Sequence, residues 1–138
     1  MSAEIARRWL RHVRRDLDTA WSAVRGPRAH SENAAYFIQQ AGEKLIKAAL
    51  VLLGKQPPRL HDLAALAEHV PDEFELKPDL LTLSRFSSFA VEFRYPDYPS
   101  IDPPPTFEEI DHWVVELEAL LQRLTALVER KEDPSDHG

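Results

Sequence analysis

Apolar residues recur three and four positions apart through residues 3–24, at Ala6, Trp9, Leu10, Val13, Leu17, Ala20, Trp21 and Val24. That spacing marks one face of a helix. A turn of about 100° per residue carries Arg7, Arg11, Arg14 and Arg15 to the opposite side. RGPRAHS breaks the pattern, and Ser31 is a natural cap for a second helix. That helix is predicted over ENAAYFIQQAGEKLIKAALVLLG. Its apolar arc holds Ala34, Phe37, Ala41, Leu45, Ala48, Ala49 and Leu52. Its other side gathers Tyr36, Gln39, Gln40, Glu43, Lys44 and Lys47 within roughly 140°. Gly54 is placed to end it.

KQPPR reads as a rigid connector and LHDLAALAEHV as a short third helix opened by His61 and Asp62. A fourth helix is predicted from about Pro78, which the first turn tolerates, through LLTLSRFSSFAVEF. Then comes EFRYPDYPSIDPPP, with five prolines in ten residues, where no helix can continue. TFEE follows as a capping box: Thr106 caps and Glu109 reaches back. The last helix runs through Ile110, Trp113, Val114, Leu117, Leu120, Leu121, Leu124, Leu127 and Val128, the spacing of antiparallel bundle packing. KEDPSDHG is a frayed tail. With no strand pattern and no repeat, the expected fold is all-α, an up-and-down bundle of four to five helices. Residues 1–131 form the bundle and 132–138 a flexible C-terminal tail. Trp9, Trp21 and Trp113 lie on apolar stripes and are expected in the core.

A length of 138 residues allows one domain. No cysteine is present, which excludes a thiol nucleophile and a Cys-based zinc site. Six scattered histidines form no HxxxH or HxH pair, so neither a metal nor a cofactor is expected. No apolar run approaches the roughly 18 residues of a membrane span, and the charged, periodic N-terminus does not read as a signal peptide. A cytoplasmic address away from the membrane is the expectation. The net charge of −6 hides an asymmetry. Residues 1–30 carry +4, and residues from Ser100 onward carry −7. Such a chain can hold a basic face without being a basic protein. The helix-1 arginines read either as a solvated back or as a phosphate or partner contact.

AAYFIQQAGEKLIKAALVLLGKQPPRLHDLAALAEHV, followed some 25 residues on by FRYPDYP, resembles the HEPN family (higher eukaryotes and prokaryotes nucleotide-binding domains). Gln39-Gln40, Glu43-Lys44, Lys47-Ala48, His61-Asp62-Leu63 and Arg94-Tyr95-Pro96-Asp97 carry the likeness, in order, over nearly the whole chain. The resemblance implies a four- or five-helix bundle, commonly a homodimer, and often a partner nucleotidyltransferase in a toxin–antitoxin module. Toxic members are metal-independent RNases that use an arginine followed, after four to six residues, by a histidine. Arg94 matches the arginine, but Pro99, Ser100 and Ile101 occupy the three positions open to the histidine. Arg7…His12 and Arg25…His30 fit the bare spacing but lie in the wrong part of the chain. Arginine cannot shuttle a proton at neutral pH, so RNase chemistry becomes the alternative reading, with His61, His69 or His112 as a displaced base.

By this reading Gln40, Lys44, Lys47, His61, Asp62, Arg94, Tyr95 and Asp97 converge on one groove for a nucleotide or an RNA segment. Arg94 would fork a phosphate, a tyrosine would stack on a base, and Asp97 would bond a ribose or orient Arg94. Structural roles compete at each position. An Arg94–Asp97 pair can pin a loop, Asp62 suits a helix N-terminus, and Glu43–Lys47 is an ordinary i,i+4 pair. Gln40, Lys44 and Lys47 fit a bundle or dimer interface equally well. Four glycines and no GxxxxGK[ST] motif leave no phosphate-cradling loop. A purely structural dimerisation module is the third possibility.

Overall fold

A computed structural model describes residues 2–89 and 103–132. The first two helices are α1 (Ser2–Ala23) and α2 (Ser31–Leu52). Two short ones follow, α3 (Leu63–Glu68) and α4 (Lys77–Leu81), the latter running into a 3₁₀ segment at Thr82–Phe86. The long α5 spans Phe107–Glu132. Among the described residues there is no strand, and the architecture is the expected all-α bundle.

α2 is the centre of the bundle. It packs against α1 most extensively and also against α3, α4, the 3₁₀ segment and α5. Ala34, Ala35, Ile38, Ala41, Leu45, Ile46, Ala49 and Leu50 are fully buried around its circumference. A helix covered on nearly every side needs small residues where neighbours come close. Gly42 is one: a Cβ there would meet Leu63 Cδ1 at 3.3 Å, with Leu83 beyond. The α1 stripe of Ala6, Leu10, Val13, Leu17 and Ala20 faces α2 and α5 as the periodicity predicts.

The caps follow local chemistry, with one shift. Ser31 is the first helical residue, not the cap; His30 holds the cap position, and its side chain makes no capping bond. The Thr106–Glu109 box is formed: Glu109 N–H donates to Thr106 Oγ1 and Thr106 N–H to Glu109 Oε1, both at 3.0 Å. Gly54 takes φ +78° after α2, the left-handed geometry that glycine adopts freely. The predicted fourth helix tightens after one turn and a half into the 3₁₀ segment. There Leu83 and Phe86 are buried, and Phe86 and Phe89 pack on Trp113 of α5 at 5.3 and 5.6 Å between ring centroids.

Trp9 and Trp113 are partly buried against the core, as expected. Trp21 is not in the core: it is 50% exposed. The Arg25 guanidinium lies over its ring at 3.7 Å, a stacking contact that shelters an indole outside the core.

Part of the charge asymmetry along the chain is matched within the bundle. Arg7 pairs with Glu132, Arg14 with Glu118 at 2.8 Å, and Arg25 with Asp111 at 3.0 Å. Rising α1 numbers meet falling α5 numbers, so the two helices run antiparallel. Burial would lower the Arg14 guanidinium, but hydrogen bonds and charge from Glu118 and Asp18 outweigh it and push it up.

Lys77 is a second inward cation, 7% exposed, whose Nζ donates to Asp72 Oδ1 at 2.8 Å. The hydrogen bond and the charge of Lys77 hold the Asp72 carboxyl below its usual value. A folded value below the unfolded one adds stability above the unfolded pKa, and the gain is lost as pH falls through the folded pKa. Asp72→Asn is therefore expected to be less stable than wild type at neutral pH. The gap should close as pH falls below the ordinary aspartate range of about 4. Urea melts from pH 7 to pH 2 check this; a gap that stays constant to the acid limit refutes it.

Candidate functional site

Two of the polar residues of α2 are closed off from any groove. Gln39 is fully buried and Glu43 is 6% exposed, because α3 and the 3₁₀ segment close over that side of the helix. A carboxylate taken out of water costs several kcal/mol unless it is paired, and Glu43 has two partners. Lys47 Nζ lies 3.3 Å from Oε2, and His61 Nδ1 lies 3.0 Å from Oε1. Both ends of the Glu43–Lys47 pair are nearly enclosed, so it is no surface i,i+4 pair of a few tenths of a kcal/mol.

Lys44 points elsewhere. Its ammonium donates to Asp16 Oδ2 of α1 at 2.7 Å, and Asp16 is 8% exposed. Lys47 also lies beneath Trp9 of α1, 5.8 Å from the ring centroid. A seam of charge thus runs along the α1–α2 contact, from Asp16–Lys44 to Lys47–Glu43, and leaves it at His61. Gln40 joins through its amide, which donates to Gln39 Oε1 at 2.7 Å.

His61 and Asp62 stand where the chain enters α3, with distinct roles. Asp62 is the N-cap: its Oδ1 accepts the Ala64 N–H at 3.0 Å. Ser87 Oγ accepts the Leu63 N–H at 3.0 Å and ties the same turn to the far end of the 3₁₀ segment. His61 presents its Nδ1 edge to Glu43 while its side chain is 81% exposed. With Nδ1 carrying the hydrogen, the other ring nitrogen is an acceptor.

The structure therefore brings Lys47, His61 and, through Gln39, Gln40 to one region around Glu43, and puts Asp62 beside it as a cap. Lys44 is committed to α1. Arg94, Tyr95 and Asp97 lie outside the described residues. Asp16 was not legible as a partner; its only signal is an acidic residue at the edge of the α1 stripe, beside Leu17. In the sequence Glu43 shows as half of an ordinary i,i+4 pair and as part of the family likeness, not as the residue that joins Lys47 to His61. Arg7 and His12 fit the bare Arg…His spacing but lie on different sides of α1. Arg7 lines the groove against α5, and His12 a hollow on the outer face. Arg25 is held by Asp111 and Trp21, away from His30.

Among the described residues no group of three or more His, Asp or Glu could hold a metal ion, and no helix is long and apolar enough to cross a membrane.

The HEPN domain family model matches residues 6–130, nearly the whole chain. The chain belongs to the HEPN domain family, a class of nucleotide- or RNA-associated helical domains. No curated protein and no solved structure matches it significantly.

Removing the Glu43 carboxylate strands an enclosed ammonium, whereas removing the exposed His61 ring strands only one acceptor that Lys47 still serves. Glu43→Ala is expected to lose about 2–4 kcal/mol of unfolding free energy and His61→Ala less than about 1 kcal/mol. Urea denaturation at pH 7 checks the order. Equal losses would mean that Glu43 is not dependent on its pairing.

Proposed function

We propose that this HEPN domain acts as a dimeric, nucleotide- or RNA-associated partner of a nucleotidyltransferase, in a toxin–antitoxin pair whose HEPN member lacks the usual catalytic histidine. The observation that carries the reading is the family match over residues 6–130. Beside it stands the sequence Pro99, Ser100 and Ile101 where the histidine partner of Arg94 would fall. Gln40, Lys44, Lys47, His61, Asp62, Arg94, Tyr95 and Asp97 remain the proposed ligand-binding set. Within it His61 is the member whose side chain faces solvent, while Lys44, Lys47 and Asp62 are engaged with Asp16, Glu43 and the start of α3. Isothermal titration with ATP, AMP and a short RNA tests this reading beside Arg94→Ala. Binding by the wild type that the variant loses is the expected result. Silence in both would leave a dimerisation module.

One observation favours the RNase alternative. Glu43 orients His61 through Nδ1 at 3.0 Å, and the carboxylate–imidazole pair is the arrangement that readies a histidine for proton transfer. In that role His61 takes the proton of a ribose 2′-hydroxyl as its oxygen attacks phosphorus, and the imidazolium returns a proton to the departing 5′-oxygen. This reading expects RNA cleavage in excess EDTA that His61→Ala and Arg94→Ala both abolish. Intact RNA after incubation with micromolar wild-type protein rules it out.

A further inference from the structure

The outer face of α1 carries cations that the fold, among the described residues, uses little or not at all. Arg8, Arg11, His12 and Arg15 are all exposed. At the helical pitch they fall within an arc of about 100° and along about 10 Å of axis. Arg7, Arg14 and Arg25, on the flanks, are bound to α5 carboxylates. By contrast, the guanidinium groups of Arg11 and Arg15 make no hydrogen bond or ion pair among the described residues. Arg8 meets only Glu4, at 3.3 Å, in a pair where both side chains are more than 60% exposed. Such a pair is held weakly and is readily exchanged.

Beside these cations is a hollow of about 220 Å³ lined by Ile5, Arg8, Trp9 and His12. Ile5 is 43% exposed, a large aliphatic side chain left in water at the rim. Trp9 is fixed from behind by packing on the core and by the Lys47 ammonium. The hollow thus joins a rigid aromatic ring, an imidazole and an aliphatic wall to a row of cations about one helical turn apart.

We propose that this face grips a single-stranded nucleic-acid segment, with phosphates on Arg8, Arg11 and Arg15 and one base lodged against Trp9 and His12. The chemistry selects that ligand. A polyanion alone has no use for an aromatic hollow, and an apolar ligand has no use for the arginines. Stacking platforms beside a basic track are how unpaired strands are held. A second copy of the chain is disfavoured, because a two-fold contact would set this strip against itself and oppose like charges. The proposal rests on the reading of the domain as RNA-associated, and adds to the set above a gripping surface on α1, whose cations are not paired like those of the α1–α2 seam.

The test is fluorescence anisotropy of a labelled oligouridylate over a series of salt concentrations. Wild type is expected to bind with a log–log salt slope of about −2, as three phosphate contacts on a single strand give. Arg11→Ala with Arg15→Ala should remove about 1.4 of that slope. Trp9→Leu, which keeps an apolar side chain in place, should weaken binding roughly five- to hundredfold without changing the slope. Unaltered thermal melts establish that the arginine variants remain folded, as their exposure implies. Binding that survives the double arginine variant but is lost in Arg94→Ala overturns this site while leaving the RNA-associated reading intact. No wild-type binding overturns both. Equal affinity for polyglutamate, indifferent to Trp9→Leu, would overturn it in favour of an acidic protein partner.

Discussion

The enclosure of α2 is the constraint from which the rest of the bundle follows. A helix packed by α1, α3, α4, the 3₁₀ segment and α5 has little solvent side on which to keep polar residues, yet this one carries Gln39, Glu43, Lys44 and Lys47. Each buried charge must find its opposite within reach of its own stem. Lys47 is one turn from Glu43, so part of the answer is local. The remainder is tertiary: His61 must come down onto Glu43 and Asp16 onto Lys44. These two contacts set α3 and α1 against the same helix. Gly42 supplies the close approach that lets Leu63 pack onto α2. An apolar α2 would pack as tightly, but it would not specify which turn of α3 or α1 belongs opposite which turn of α2.

Electrostatics then orders the outer pair. Arg7, Arg14 and Arg25 meet Glu132, Glu118 and Asp111, so α1 and α5 match only when antiparallel. Half-exposed pairs of this kind contribute at most about 1 kcal/mol each. Their weight lies in what the reverse orientation would lose. The burial of Leu10, Leu17, Leu117, Leu121 and Leu124 stabilises far more, at roughly 1.5–3 kcal/mol per side chain. Hydrophobic burial holds the bundle together, and charge selects its register.

How much of this was legible depended on whether a helix had one exposed face. α1 and α5 do; their stripes, the Thr106–Glu109 box and the Asp62 start of α3 could be read from spacing and residue type. α2 does not. Its polar arc fitted a ligand groove or a bundle or dimer interface equally well, because periodicity reports amphipathicity and not the number of neighbours; Glu43–Lys47 had the spacing of an ordinary i,i+4 pair and Asp16 had no visible partner. The tightening of the fourth helix into a 3₁₀ segment escaped for a related reason: LLTLSRF suits either geometry, and the pull of Phe86 onto Trp113 decides it. Trp21 was misplaced because an apolar stripe does not reveal that Arg25 can cover an indole outside the core. Of the site, Lys47 and His61 could be found together only through the family resemblance, since Glu43, the residue that joins them, looked ordinary.

The seam and the outer strip are two sides of one contact, and Trp9 stands between them. On the inner side it covers Lys47, whose charge is spent on Glu43; on the outer side it walls a hollow beside cations with no such partner. A neutralised seam exerts little pull on an approaching polyanion, because the opposed charges of Asp16–Lys44 and Glu43–Lys47 cancel within a few ångströms, well inside the screening length of about 8 Å in physiological salt. Free guanidinium groups on an exposed helix face do attract one. On the proposal made above, first contact with RNA would fall to α1, and under the RNase reading chemistry would fall to His61, the most exposed member of the seam. The division of labour would then be one of exposure: enclosed charges hold the fold, and exposed ones would do the binding.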